Sequence, residues 1–286
     1  LLITPRFPYS PLRVALSPAI PILTWPHVED RGLLCLLSER DGHSVDQHIE
    51  EEITHLLGEA RALIQVSSAK QNLQDFEDEF QNYWALWSRT KAKMYSLCDV
   101  RGPSRWVSSW HGSGFLLIAE DKGSVVQWMH NRYGKENTSK VDPQPVPFIW
   151  LPRALRPEEY PNTVGALLNV LEKMGVDQEI VVQLLVNEKL KYKSLLLGFT
   201  GTFGASLAGL RIDLPKTIKN GFRGFPPADV LRARLDAAGS NGADVTRLDG
   251  AWIHGRGHNP QEANLAVKSV VILGIGSLGG TIADML

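Results

Sequence analysis

Two cysteines in 286 residues, Cys35 and Cys98, are too few to staple a chain of this length, so a disulfide framework is excluded. No apolar run reaches the roughly 18–20 residues that a membrane-spanning helix requires. Charge of one sign is also lacking: 30 basic residues face 31 acidic ones, for a formal net charge of −1. That balance gives no footing for direct nucleic-acid binding or for attraction to an anionic membrane. The chain has no internal repeat and no extended low-complexity tract. Its first residues, Leu1-Leu2-Ile3-Thr4-Pro5, have neither the charged leader, the apolar core nor the cleavage site of a signal peptide. They also lack an initiator Met, so the chain is expected to begin inside a longer, cytoplasmic protein with reduced thiols.

What is present is ordinary globular material. The chain is 43% hydrophobic and 21% charged, which predicts packed cores in one large domain or two to three smaller ones. Prolines 5, 8, 11, 18, 21 and 26 disfavour a helix at the start and favour extended segments between turns, with Arg13 to Leu16 and the apolar run around Cys35 as short strands. Ser44 with Gln47 forms a capping box ahead of a helix whose apolar stripe is Ile49, Ile53, Leu56, Leu57, Ala60, Leu63 and Ile64. A second amphipathic helix carries Phe76, Phe80, Tyr83, Trp84 and Trp87, an aromatic stripe that fits a core or a partner groove. Further on, 106–118, 125–128 and 191–200 read as strands. Residues 162–174 read as a helix closed by Gly175, and 226–238 as another helix.

The chain ends on a strong local pattern. Val270 to Leu273 is a short apolar strand leading into Gly274-Ile275-Gly276-Ser277-Leu278-Gly279 and a helix start, the context in which a glycine-rich loop holds phosphate on backbone N–H groups. Taken alone, this loop also fits a nicotinamide-dependent oxidoreductase. The chain stops before the sheet is complete. His254 and His258 sit four apart, but Gly255 and Gly257 between them speak against a helix, and no metal site is expected.

Of the two thiols, Cys98 reads as a buried small apolar residue. Cys35 lies just after a turn at Gly32 and eight residues after His27. A thiolate is a good nucleophile and a tolerable leaving group, suited to taking an acyl group and passing it on. An imidazole N–H at His27 could stabilise the oxyanion of such a transfer, or the ring could be structural. Glu29 and Asp30 either attend the incoming amine or solvate the loop.

The segment Trp25-Pro26-His27-Val28-Glu29-Asp30-Arg31-Gly32-Leu33-Leu34-Cys35-Leu36 resembles the active-site segment of ubiquitin-conjugating enzymes, which carry His-Pro-Asn ten to eight positions before a Gly-apolar-Cys-Leu run. The proline, glycine, cysteine and leucine keep that spacing, while Trp25 and His27 stand where the family has histidine and asparagine. Phe7-Pro8-Tyr9-Ser10-Pro11-Leu12-Arg13-Val14 is similar to the family's Tyr-Pro-x-x-Pro-Pro-x-Val stretch. With this context, the terminal glycine loop resembles the entry of ThiF-type adenylating domains, and the whole resembles bacterial fusions of activating and conjugating enzymes serving CBASS-type antiphage operons.

The resemblance implies an α/β chain of three parts: a partial α+β conjugating-like domain (1–95), a mixed α/β middle domain (96–262) and the first strand-turn-helix of a Rossmann-like adenylation domain (263–286). It implies Cys35 and His27 as catalytic residues, and Gly274, Gly276, Gly279 and Arg256 toward ATP with Mg in the full-length protein, although Arg256 also reads as a surface arginine. This fragment alone is expected to bind ATP poorly. The implied partners are a protein activated at its C-terminus (a cGAS-like nucleotidyltransferase or a ubiquitin-like protein) and a target amine; homodimerisation through the adenylation domain is compatible with it. A conjugating-like scaffold without catalysis is the other reading.

Overall fold

A computed structural model describes residues 1–2, 12–36, 49–88, 93–112, 114–138, 140–187, 193–202, 204–213, 230, 233–234 and 236–249. The described chain divides into two compact units: Leu1–Trp87 with Arg153–Tyr160 and Gly201–Phe203 forms the first, and the remainder forms the second. Helices and an eight-stranded mixed sheet make the chain α/β, as its sequence predicts.

In the first unit, α1 (Ile49–Ser68) buries Leu56, Ala60 and Ser67, with Ile53, Leu63 and Ile64 half-buried beside them, a stripe of helical period. Ile49 and Leu57 belong to the expected stripe but are exposed. Leu57 follows Leu56 by one residue, and one residue turns a helix by about 100°, carrying its side chain off the buried face. Glu50, Glu51 and Glu52 fill the first turn, where the positive end of the helix dipole favours carboxylates. The buried face of α1 packs on Leu12, Val14, Val28 and Leu34, the irregular arm that carries Cys35.

The second expected helix is two. Asp75–Asp78 forms the single turn α2 and Phe80–Trp87 forms α3, with Glu79 at the break. The aromatic stripe makes core. Trp84, fully buried, stacks with Phe80 at 5.2 Å and meets Trp87 at 4.7 Å and Tyr160 at 5.1 Å, and Phe76 meets Tyr83 edge-on at 4.8 Å. Glu77 pairs with Arg156 at 2.6 Å, fixing the 153–160 turn to this aromatic cluster.

In the second unit the strands are β1 (Lys93–Ser96), β2 (Arg105–His111), β3 (Phe115–Ala119), β4 (Gln144–Trp150), β5 (Ser194–Gly201), β6 (Gly204–Asp213), β7 (Gly239–Ala243) and β8 (Val245–Arg247), ordered β7-β6-β5-β4-β2-β3-β1-β8 across the sheet. β1 runs parallel to β3 and β8, and β4 parallel to β5, whereas β2 is antiparallel to both β3 and β4. β3 is buried on both faces: Leu116 and Ile118 enter one cluster with Cys98, Leu117 and Ala119 another with Val125 and Met129. The parallel step from β4 to β5 is bridged by α5 (Val164–Lys173) and α6 (Glu179–Val186), as a crossover requires. α5 opens on Thr163, whose hydroxyl accepts the Ala166 N–H, and Gly175 follows its end at φ +67°, as expected of that glycine.

The strand expected at 125–128 is instead part of α4 (Lys122–Tyr133). Asp121 accepts the Ser124 N–H as a cap, Gly134 ends the helix at positive φ, and Val125 and Met129, four apart, share its buried face. A four-residue apolar run carries no period of its own, so the caps decide.

His111, at the end of β2, gives this unit an acid-sensitive side chain. Burial first, and the Arg211 charge second, bring its imidazole from 6.5 down to about 4. Between those two values the unfolded chain takes up a proton that the folded chain refuses, so stability falls as pH drops through that window and is unaffected above it. We expect the melting temperature of this unit to decline on acidification from about pH 7 to about pH 4, and His111→Gln to flatten that decline; calorimetry across the range tests it.

Candidate functional site

The site is built on a short hairpin. Val28 pairs with Leu34 and Ala15 with Leu33 as antiparallel bridges, while the Cys35 N–H donates to the His27 carbonyl at 2.9 Å and the Glu29 N–H to that of Leu33 at 2.7 Å. Val28 and Leu34, directly opposite each other, are both buried against α1, and the residues that follow outward, His27 and Cys35, are joined through their backbones by the Cys35 N–H. Cys35 is exposed there, whereas Cys98 is buried in the second unit.

The turn that closes the hairpin is a 3-10 turn at Asp30–Gly32, in which Arg31 (φ +59°) and Gly32 (φ +73°) both occupy the left-handed region. A Cβ at Gly32 would lie 3.0 Å from Ala19 Cα and 3.2 Å from the Leu16 carbonyl oxygen, both backbone atoms that yield little. The glycine of the motif is thus required by conformation and by space. Gly32→Ala is expected to destabilise the first unit by about 1–2 kcal/mol, read as an earlier urea midpoint.

His27 itself has φ +59°, and three groups from the α2–α3 segment hold it. Its backbone N–H donates to the Tyr83 hydroxyl at 2.9 Å, Nε2 lies 3.1 Å from Asp75 Oδ2, and Nδ1 lies 3.9 Å from Glu79 Oε2. Tyr83, chiefly through burial, is held well above the usual phenol range and remains an O–H. The ring therefore has carboxylates beside both nitrogens. Of the other two acidic candidates, Glu29 is engaged by Arg13 at 2.7 Å, and Asp30, which accepts the Arg31 N–H at 2.9 Å, is almost fully exposed.

Sequence reasoning passed over Asp75 and Glu79 and placed Tyr83 only in an aromatic stripe. The available signal is their spacing: 75, 79 and 83 are four apart and line up along one side of a helical segment. Nothing local says that this line meets His27.

Gly274, Gly276, Gly279, Arg256 and the helix expected to start at 226 lie outside the described residues, apart from 230, 233–234 and 236–238 of that helix. The expected capping box at Ser44 and Gln47 and most of the Phe7–Val14 motif also lie outside them. Among the described residues no helix is long and apolar enough to cross a membrane, and no cluster of His, Cys, Asp and Glu is arranged to hold a metal ion.

Burial raises the Cys98 thiol to about 12 and seals it from solvent. A thiol-specific disulfide reagent is expected to titrate one thiol, Cys35, in the native protein and two after denaturation. Two fast thiols in the native protein would contradict the burial of Cys98.

Residues 1–93 match the model of a family described as prokaryotic E2 family B, E2 being the ubiquitin-conjugating class. None of the curated proteins matches the chain. The N-terminal part of this chain, which holds the Cys35 hairpin, is thus similar to the prokaryotic E2 family over residues 1–93.

Proposed function

We propose that Cys35 accepts the activated C-terminal carboxyl group of a protein as a thioester and transfers it to a target amine. The observation that carries this reading is the exposed thiol of Cys35, backbone-paired with His27, on a hairpin inside a segment that matches an E2 family. The E2-like match supports a role in ubiquitin-like conjugation. The chemistry follows from the thiol: Cys35 Sγ attacks the activated carbonyl, the previous carrier leaves, and an amine later displaces the sulfur to give an amide. Burial of Val28 and Leu34 beneath the hairpin holds the sulfur at the surface, where a second protein reaches it.

The finer reading rests on the sequence resemblance. The carboxyl group is activated by ATP in a ThiF-type fold that opens with the Gly274–Gly279 loop. The protein carried is a cGAS-like nucleotidyltransferase or a ubiquitin-like protein, and the setting is antiphage defence in a bacterial cytoplasm.

A simple test bypasses the activating step. The chain is incubated with an aryl thioester of acetylglycine and then with free lysine. One acyl group per chain, released by neutral hydroxylamine and passed to lysine as an amide, is expected. A chain that acquires no hydroxylamine-labile acyl group contradicts the reading.

A further inference from the structure

The two contacts of the His27 ring differ in kind. At 3.1 Å, Nε2 and Asp75 Oδ2 share a hydrogen bond, and because a carboxylate only accepts, the proton resides on Nε2. At 3.9 Å, Nδ1 and Glu79 Oε2 are too far apart for one. A neutral ring with its proton on Nε2 presents a lone pair at Nδ1, so Nδ1 and Glu79 are two acceptors facing one another across a gap. A single nitrogen that carries several N–H groups, placed to one side of the line joining them, can donate to both at about 2.9 Å. The hydroxyl of Tyr83, which receives the His27 backbone N–H, also lies beside Glu79. The side chains of His27 and Glu79 are 24% and 40% exposed, so the gap opens to solvent. The Cys35 N–H donates to the His27 carbonyl at 2.9 Å, so the residue bearing the thiol is paired through its backbone with the residue bearing this ring.

We propose that the space between His27 Nδ1 and Glu79 Oε2 seats the target amine, with His27 as its general base and Asp75 as the residue that positions the imidazole. This rests on the acyl-transfer reading and assigns the proton path within it. The amine arrives as an ammonium ion bound by Glu79, and Nδ1 relays one proton from it to solvent. The neutral nitrogen attacks the Cys35 thioester carbonyl, forming the C–N bond. A second N–H proton passes to Nδ1 as the C–S bond breaks, and Cys35 leaves as a thiolate that recovers this proton. Asp75 and Glu79 flank the imidazolium formed on the way. The charged or titratable groups facing His27 from the packed segment are Asp75, Glu79 and Tyr83.

The experiment separates loading from discharge. Wild type, His27→Gln, Asp75→Asn and Glu79→Gln are loaded with acetylglycine from its aryl thioester. Single-turnover discharge is then followed with lysine and with hydroxylamine between about pH 6 and pH 9. Discharge is started from equal amounts of each loaded protein, so differences in loading do not enter the rates. Discharge to lysine falls about tenfold or more in His27→Gln and Glu79→Gln and by a smaller factor in Asp75→Asn. Hydroxylamine, already unprotonated at neutral pH and in no need of an ammonium seat, discharges all four within about threefold of one another. The wild-type rate with lysine exceeds that of His27→Gln most at the low end of this range, and the two converge as lysine itself loses its proton. Loaded variants that discharge to lysine at the wild-type rate overturn the proposal, as does an equal loss with both nucleophiles. Failure of every protein to load, wild type included, overturns the acyl-transfer reading instead.

Discussion

Cys35→Ala is expected to abolish acyl loading, by at least a hundredfold against wild type, while Cys98→Ala loads as the unaltered chain does. The physical case lies in the two surroundings. Cys35 is exposed on a hairpin whose buried residues, Val28 and Leu34, are packed under α1. Removing its Sγ atom takes away the nucleophile and disturbs little packing, so the variant keeps the stability of the parent. Cys98 lies with Met94, Val107 and Leu116 in the core of the second unit, and burial holds its thiol protonated. Thiolate supply and access both fail there. The measurement is the mass added per chain after exposure to an aryl thioester, taken beside a melting curve for each variant. Loading that survives Cys35→Ala refutes the assignment, whatever its chemistry.

Trp84→Ala is expected to cost the first unit about 3–5 kcal/mol, the largest stability effect of any single truncation proposed for this unit. Trp84 is fully buried and touches three other aromatic rings, those of Phe80, Trp87 and Tyr160. Its loss empties the centre of the cluster and loosens α3, which carries Tyr83. Tyr83 in turn holds the His27 backbone N–H, whose carbonyl receives the Cys35 N–H. The damage should therefore reach the site: loading and discharge both slow in conditions where the second unit remains folded. Because the chain has two units, urea unfolding is read with two probes, tryptophan fluorescence and sheet circular dichroism, and the early transition is the one that moves. A Trp84→Phe variant, which keeps an aromatic ring in the cavity, should recover most of the loss. A wild-type midpoint for Trp84→Ala would contradict the role given to this cluster.

Much of this was legible in the sequence where a residue's surroundings are set by its neighbours in the chain. The stripe of α1 repeats over five turns, long enough for the helical period to show, and the turn at Gly32 needs a glycine for reasons of local backbone geometry. Cys98 reads as a buried small apolar residue, the ordinary lot of a free cysteine, and it is core. The errors fall where period is short. Val125 to Trp128 spans too few residues to tell helix from strand, and the break at Glu79 is invisible in a stripe of aromatics that continues across it. The partners of His27 lie beyond this kind of reading. Asp75 is 48 residues away, and only the folded chain brings its carboxylate to the ring. Nor does the sequence show that two carboxylates stand beside the imidazole.

Peptide mapping of the acyl-loaded chain tests the central claim most directly. Trypsin releases Cys35 within residues 32–40 and Cys98 within residues 94–101. One acyl group, bound as a hydroxylamine-labile thioester on the 32–40 peptide, is the expected result. A label on 94–101 or on lysine side chains, with 32–40 unmodified, would contradict it.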